Sequence, residues 1–501
     1  MRRFLSGIVL IILYYIPTYS QNNVGIGTEK PDPSALLDIQ SADKGMLVPR
    51  MTSDQMQAIV LPVAGLLIYN TSTSSFWYFK NDVDHWTEID PADRNRSVLS
   101  NTSIQDTDGD TWVDTEHAAN ENKIRFSVAG DQLMTISRNP NGVPLIDIGG
   151  TATNLMIGTG AGFNTLPVGD TTGSDNIFVG FSAGFINASG RQNVGIGSFA
   201  LNSNLNGSQN TAIGAFALPL NISGKHNVAL GFNALHENTV GNSNIGIGYE
   251  TLHSSVMQNF LIAIGDSSLY ENVDGDNNIG IGYKTLKSNI EGFQNLAIGN
   301  DALMRNISGT ANIGLGARSL QANTTGDDNV AIGAEALYAN TTGKENVALG
   351  SAALNVNTTG SDNTALGYNA LFSNTIGQNN IALGRYTLGF NVSGNGNIAI
   401  GRSAMFNDTS GNANVAIGNY ALYNAGALSN MVAIGDSALY NSGLGATEIY
   451  HGRANTAIGK STLKDNTLGY ANTAVGLRVL TKNIDGSGNT AVGGSSLISN
   501  L

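Results

Sequence analysis

Residues Asn329–Gly367 read NVAIGAEALYANTTGKENVALGSAALNVNTTGSDNTALG, and this stretch decides the fold. It states one pattern twice, N-x-A-[IL]-G-x-x-A-L-x-x-N-T-T-G-x-x, and opens a third copy. The openings Asn329, Asn346 and Asn363 stand 17 residues apart. A short fixed period marks stacked repeats rather than a single globule. Outward from this stretch, openings recur every 17 residues from position 176 to position 431. After a seven-residue insertion they resume at 455, 472 and 489, nineteen copies in register. A degenerate copy with five extra residues starts at Asn154, and the chain ends at Leu501 inside the last copy.

The residue types at each position predict the rung. The fifth position is Gly in all nineteen copies, from Gly180 to Gly493, which implies a positive φ or an approach too close for a Cβ. The fourth is Ile, Leu or Val. The ninth is Leu in seventeen copies, with Gly184 and Met405 as exceptions. Asn329, Gly333, Leu337, Asn340 and Gly343, then Asn346, Gly350 and Leu354, are therefore the structural positions of two successive units. N-T-T-G fits a type I turn. Two short apolar segments and two bends predict one rung of a parallel β-solenoid, with two short strands. A-x-x-A-L looks helical locally, but only about six residues lie between breakers, too few for a stable helix.

Composition agrees. The 501 residues include 62 Gly, 10 Pro and no Cys, and 13% are charged, against roughly 25% in ordinary soluble proteins. The formal charge of −13 is thinly spread, which argues against a nucleic-acid partner. Without Cys there are no disulfides, thiol chemistry or thiolate metal sites.

Four segments are expected: a signal peptide at 1–20, an N-terminal module at 21–91, a connecting β-rich segment at 92–150, and the array at 151–501. Arg2 and Arg3 precede an apolar run from Phe4 to Ile16, then Pro17 to Ser20, the pattern of a secretory leader. The run is too short to span a bilayer, and no later segment is apolar enough, so the mature chain is expected outside the inner membrane without a membrane span. Asn23–Gly27, NVGIG, is an isolated copy of the repeat opening. Thr52 and Gln55 form a capping-box pattern that predicts a helix over 52–60. Gly65–Asn70 and Phe76–Phe79 read as a hairpin around TSTSS, with Trp77 and Trp86 as packing residues. Lys123–Val128 and Leu133–Ser137 read as strands.

Candidate sites are few. Asp106, Asp108, Asp110 and Asp114 suit a calcium ion by their clustered carboxylates. An EF-hand register starting at Asp106 nevertheless fails at Thr111 and His117, and a polar turn is the simpler reading. The insertion carries Glu448, Tyr450, His451 and Arg453, a possible contact loop, since insertions in solenoids bulge outward. G-x-G runs such as Gly158–Gly162 lack the strand–loop–helix unit of a phosphate loop. The six His (85, 117, 226, 236, 253, 451) are scattered and make no metal-ligand pair, and no Ser/His/Asp set stands out. No catalytic residue and no cofactor other than calcium is expected.

Each rung offers about two large aliphatics, worth roughly 2–3 kcal/mol each when buried. Ordering 17 residues costs roughly 1–2 kcal/mol apiece. One coil alone is thus poor in apolar surface. The third-position Ala column, beside Thr, Val or Ile at the second position, offers a face for another copy, which predicts a homotrimer or similar side-by-side assembly.

Asn329–Gly333 and Asn210–Gly214 carry N-x-A-I-G, which resembles the head repeat of YadA-like trimeric autotransporter adhesins. That resemblance covers roughly 154–501 and implies a β-roll whose three chains share a core. The longer unit is also similar to repeats of bacterial secreted fibre and phage tail-fibre-like proteins, and NVGIGT…KGMLVPRMT…GLLIYNT…W is similar to leaders of bacterial surface proteins. No heptad stalk, membrane β-barrel segment or self-cleaving domain is read after the array, so the resemblance implies neither autotransport nor anchoring. The expectation is an all-β, non-enzymatic, trimeric β-solenoid (β-roll) with a small mixed N-terminal module. It would be secreted or held at the cell surface and would attach to an unidentified extracellular glycan or protein. Alternatives are an ice- or crystal-binding solenoid using Thr324/Thr341/Thr358, and a non-adhesive spacer.

Overall fold

A computed structural model describes residues 23–80, 85–89, 103–105, 111–115, 123–129, 131–138, 144–147, 154–165 and 172–499. The signal peptide expected at 1–20 lies outside these residues. The chain divides into two compact units, 1–130 and 131–501.

In the first unit, β1 (Val24–Ile26) pairs in parallel with β2 (Leu37–Ile39), and none of their residues is buried. Helix α1 (Ser53–Gln57) is shorter than the predicted 52–60, but its capping box is intact: Thr52 N donates to Gln55 Oε1 at 2.9 Å and Gln55 N to Thr52 Oγ1 at 3.4 Å. The expected hairpin forms from β4 (Leu67–Asn70) and β5 (Ser75–Lys80), flanked by β3 (Arg50–Met51) and β6 (His85–Ile89). Trp77 Nε1 donates to Ser75 Oγ at 2.9 Å, and Trp86 packs edge-on to Phe79. Trp86 packs as expected. Strands β7 (Ser103–Gln105), β8 (Trp112–Thr115) and β9 (Ile124–Val128) continue the unit as an antiparallel run.

In the second unit, β10 (Asp131–Arg138) and β11 (Pro144–Asp147) pair antiparallel. The array follows as one parallel sheet of 20 strands in sequence order, from β12 (Leu155–Ile157) to β31 (Thr490–Val492). Each strand sits one period above the last, so that β22 (Val330–Ile332) pairs Val330 with Val347, Ala331 with Ala348 and Ile332 with Leu349. At the usual interstrand spacing the sheet is roughly 90 Å long. The parallel β-solenoid is therefore the fold.

Two details differ from expectation. Each rung has one strand, not two. The second apolar segment, residues 334–339, is a run of turns because its backbone reverses sign: φ is +59° at Glu335 and +50° at Leu337. A β-turn closes at Ala336 N to Gly333 O, 3.3 Å, and the turns stack through Leu337 N to Ala353 O, 3.0 Å, and Ala339 N to Asn355 O, 2.9 Å. Leucine at positive φ costs about 1–2 kcal/mol. Its complete burial at Leu337 offsets that by about 1.5–3 kcal/mol.

The second difference is the Ala column. Ala331, like Ala336 and Leu337, is fully buried within one chain. Side chains alternate across a strand, so the third position points inward and the second and fourth point out. The interior is only wide enough for Ala facing Leu. Where Phe178 replaces the third-position Ala, Gly184 replaces the ninth-position Leu, and a Cβ there would lie 2.5 Å from the Phe178 ring. The Gly184 exception is a volume exchange.

Candidate functional site

The described residues present a spine, an apolar strand face and an outer turn corner. The spine is polar and buried. The first-position asparagines from Asn176 to Asn472 and the twelfth-position ones from Asn187 to Asn483 are buried, including Asn329, Asn340, Asn346 and Asn357. Asn346 N and Nδ2 both reach Asn329 Oδ1 at 3.1 Å. Asn357 Nδ2 reaches Asn340 Oδ1 at 2.8 Å, and the same pattern repeats up the array. The Asn340–Gly343 corner is closed by Asn340 Nδ2 on the Gly343 carbonyl at 2.9 Å, so the side chain does the closing expected of a type I turn. Burial also removes Asn323 and Asn340 as glycosylation acceptors.

The two recurrent glycines of each rung have different reasons. Gly333 sits at φ +135°, and a Cβ there would lie 2.6 Å from the backbone of Gly350. Gly343 has no positive φ. A Cβ would instead meet Asn340 Oδ1 and the Gly360 carbonyl at 2.4 Å.

The strand face is apolar along its whole length. The fourth position is Val, Ile or Leu in every copy, and the second is Val, Ile, Leu or Thr, with no charge at either. These side chains lie outside the single-chain core, with Ile298 40% and Leu366 46% exposed. The hydroxyls of Thr324, Thr341 and Thr358 donate to the carbonyls of Thr341, Thr358 and Thr375 at 2.9 Å. Their protons are committed within the chain, which leaves only oxygen lone pairs toward solvent.

The insertion leaves the ladder between two glycines. Gly443 N bonds Thr467 O at 2.9 Å and Gly452 N bonds Leu468 O at 3.0 Å. Glu448 and Tyr450 are exposed in the excursion. His451 Nδ1 accepts from the backbone N–H of Thr447 and Glu448 at 3.3 and 3.2 Å, and Tyr450 stands edge-on to both His451 and Tyr470. Arg453 is partly buried and its carbonyl accepts from Ala471 N at 3.0 Å, so it belongs to the ladder rather than to the loop tip. Of the calcium candidates, Asp106, Asp108 and Asp110 lie outside the described residues. Asp114 is buried on β8 with Arg125 Nη1 3.8 Å from its carboxylate. No group of three metal-ligating residues occurs among the described residues.

The outer corner carries rings and charges that the sequence reading left apart. His236 and His253, one period apart, stack at 4.9 Å with planes 2° from parallel, and Tyr270 continues the stack. Burial, then the neighbouring His253, holds the His236 imidazole below its ordinary range. Phe199, Phe216, Phe232 and Tyr249 form a second column. Tyr368, Tyr386, Phe406, Tyr423 and Tyr440 form a third, with Arg385 over Tyr368 and Tyr386 and Arg402 over the neighbouring Tyr420. The signal that would have found these contacts is the spacing of about 17 between residues of like chemistry.

Residues 25–105 match the family model described as a phage tail like trimerisation region. Comparison with curated proteins and with solved structures gives no match. The matched region and the β-solenoid together fit a phage tail-fibre-like repeat protein, and the trimerisation match supports self-association as a trimer. No helix among the described residues is long and apolar enough to cross a membrane.

Proposed function

We propose that this chain is a secreted, non-enzymatic structural fibre protein. Three copies associate, begin their association at the N-terminal trimerisation region, and line up their solenoids along the apolar strand faces. The observation that carries this reading is the charge-free strand face, with two outward aliphatic or threonine columns over 20 rungs. A partner that covers such a face along its length needs the same rung spacing, and another copy of the chain has it. The N-terminal region supports the same reading. Leu36, Leu47, Val60 and Leu61 are 76–89% exposed in one chain, within the matched residues. Covering these side chains in an assembly would remove apolar surface from water, which favours association.

The rod would carry surface chemistry away from its attachment point, with avidity from three chains. Attachment to an extracellular surface is the use we assign to it, on the likeness of N-x-A-I-G to YadA-like head repeats.

Sedimentation equilibrium of residues 21–501 tests the assembly. Three times the chain mass is expected. The triple variant Ile298→Asp, Ile332→Asp, Leu366→Asp should keep the circular dichroism of the parent and lose association of the array. A parent that sediments as a well-folded monomer refutes the reading.

A further inference from the structure

Two opposite-charge pairs bridge neighbouring rungs of the array. Arg318 meets Glu335 one rung on, and Lys344 Nζ meets Asp327 Oδ2 at 2.7 Å one rung back. Arg385 and Arg402 are neighbours of like charge instead. They hold the same sixth position in adjacent rungs, and the ladder bonds Ser403 N to Arg385 O and Tyr420 N to Arg402 O, each 3.0 Å, fix them one above the other. Like charges directly opposite in a ladder are destabilising. Both side chains are exposed, and no carboxylate lies within 4.0 Å of either among the described residues.

Their rings hold them in place. The Arg385 guanidinium lies 4.8 Å from the Tyr386 ring centroid and 5.5 Å from that of Tyr368, and Arg402 lies 5.8 Å from that of Tyr420. Arg385 Nη2 also donates to the Tyr386 hydroxyl, at 3.4 Å. Cation–π contact occupies the flat face of a guanidinium and leaves its remaining N–H groups at the edge to meet an anion. The charge further along the corner has the matching sign. Beside the two arginines, the sixth to eleventh positions from the rung at 363 to the rung at 472 carry four basic residues (Lys460, Lys464, Arg478, Lys482), all in the rungs at 455 and 472, and two acidic ones (Asp436, Asp465). The whole chain carries −13, so this local excess is a reversal of sign.

We propose that Arg385 and Arg402, set on Tyr368, Tyr386 and Tyr420, form a binding site for an acidic polysaccharide. The guanidinium edges take a carboxylate, sulfate or phosphate on the sugar, and the tyrosines offer ring edges and hydroxyls to the pyranose. An extended glycan advances by about one rung per sugar, so it can run along the ladder in step with it. Nucleic acid fits less well. Tyr386 stands edge-on to both Tyr368 and Phe406, at 83° and 84°, which leaves no open parallel slot for a base. A strand with a phosphate every 3.4 Å also meets more repulsion from an acidic chain than a glycan with one acid per repeat. The site lies within a single chain and does not rest on trimerisation. It does extend the attachment reading, by giving the ligand a chemical class.

Isothermal titration of the full mature chain with polygalacturonate, dextran sulfate, neutral dextran and poly-dT tests the site. The parent should bind one or both acidic polysaccharides and not dextran. Arg385→Gln/Arg402→Gln should weaken that binding at least tenfold with an unchanged or raised melting temperature, because a repulsion is removed. Arg318→Gln, whose partner is Glu335, should bind as the parent does. No binding to either acidic polysaccharide, equal binding to dextran, tighter binding to poly-dT, or equal binding by the double variant overturns the proposal. A double variant that melts well below the parent makes the pair structural, and that also overturns it. Sedimentation of the same samples reports the trimer separately, so a failure of either idea is visible by itself.

Discussion

Asn346 and Asn357 share one acceptor: each directs Nδ2 at the carbonyl of Gly360, at 2.9 Å. The first- and twelfth-position columns are thereby tied together once per rung, and the glycine at the tie has no room for a side chain. A Cβ on Gly360 would lie 2.4 Å from Asn357 Oδ1 and from the Gly377 carbonyl. At two rungs the chain departs from this arrangement at three positions together, in the same way. Ser255, Gln258 and Leu261 replace Asn, Gly and Asn, and Ala425, Leu428 and Met431 do so again 170 residues later, ten periods of 17. All six are at most 5% exposed. A large fifteenth residue is thus found only where the twelfth has lost its amide.

Gly360→Leu alone should therefore be severely destabilising, by several kcal/mol, through overpacking against a buried amide. Asn357→Ala alone should cost about 1–3 kcal/mol, because Asn340 Oδ1 loses its donor. The triple Asn357→Ala, Gly360→Leu, Asn363→Met copies the second natural break and should cost less than the sum of the singles. Chemical denaturation of the parent, the three singles (Asn363→Met included) and the triple checks this, and simple additivity would show that the three positions do not act as a set.

The seventeenth position offers a stabilising change. Glu345 is exposed at φ +57°, and its N–H donates to Asp327 O at 3.1 Å. Gly396 and Gly488 already occupy the equivalent place in other rungs, also at positive φ. Glu345→Gly should raise stability by a few tenths to about 1 kcal/mol, as relief of the left-handed backbone exceeds the entropy of the added glycine. Glu345→Val should lower it by more than that, since a β-branched residue tolerates this region poorly. Paired thermal melts separate the two.

How much of this was legible depended on whether a residue's role was set by its own period or by its neighbours. Gly333, Leu337, Asn340 and Gly343 could be read because each recurs at 17 and each has one job. Which way a side chain points could not be read so easily. Ala331 looked like an outer face because it is small, yet a narrow interior needs small residues, and the larger Ile332 is the one left outside. The second strand was read from A-x-x-A-L, but its backbone alternates sign at Glu335 and Leu337, and apolar pattern carries no information about φ. The Arg385–Arg402 and His236–His253 neighbours were in plain sight at a separation of 17, but they recur only once, and a search for consensus passes over what is not repeated.

The insertion yields a prediction with defined limits. Gly443 and Gly452 bond to the adjacent residues Thr467 and Leu468, so the segment between them is a closed excursion from the ladder. Deleting Leu444–Tyr450 restores the 17-residue period and should leave the melting temperature within a few degrees of the parent, since closure of a surface loop depends weakly on its length. If Glu448 and Tyr450 contact a surface, attachment should fall in the same variant. Extending the deletion to Gly452 and Arg453 should destabilise the array, because the Gly452 carbonyl accepts from Asn455 Nδ2 at 2.8 Å and the Arg453 carbonyl from Ala471 N.

Asp408 stands where the twelfth-position column calls for Asn, and it is fully buried. Below it, Asn391 Nδ2 reaches Asn374 Oδ1 at 2.8 Å, while Asn391 Oδ1 takes only the Gly394 N–H, at 3.1 Å, because a carboxylate has no amide to offer. Above it lies Ala425. Burial pushes the Asp408 carboxyl up to about 7, against the opposing hydrogen bonds from Gly411 N at 2.7 Å, Ser410 N and Asn414 Nδ2 at 3.3 Å; no charged group acts on it. In the unfolded chain the group ionises near 3.8, so between about 4 and about 7 the folded state holds a proton that the unfolded state has released. Stability should therefore fall as pH rises through that window and level off above it, by an amount on the order of 4 kcal/mol. Asp408→Asn supplies the missing Nδ2 for Asn391 and carries no charge. It should match or exceed the parent at pH 5, exceed it clearly at pH 8, and remove this slope, as denaturant midpoints across pH 4–8 would show. A parent whose midpoint is flat over that range, or an Asp408→Asn variant that keeps the slope, places the pH dependence elsewhere.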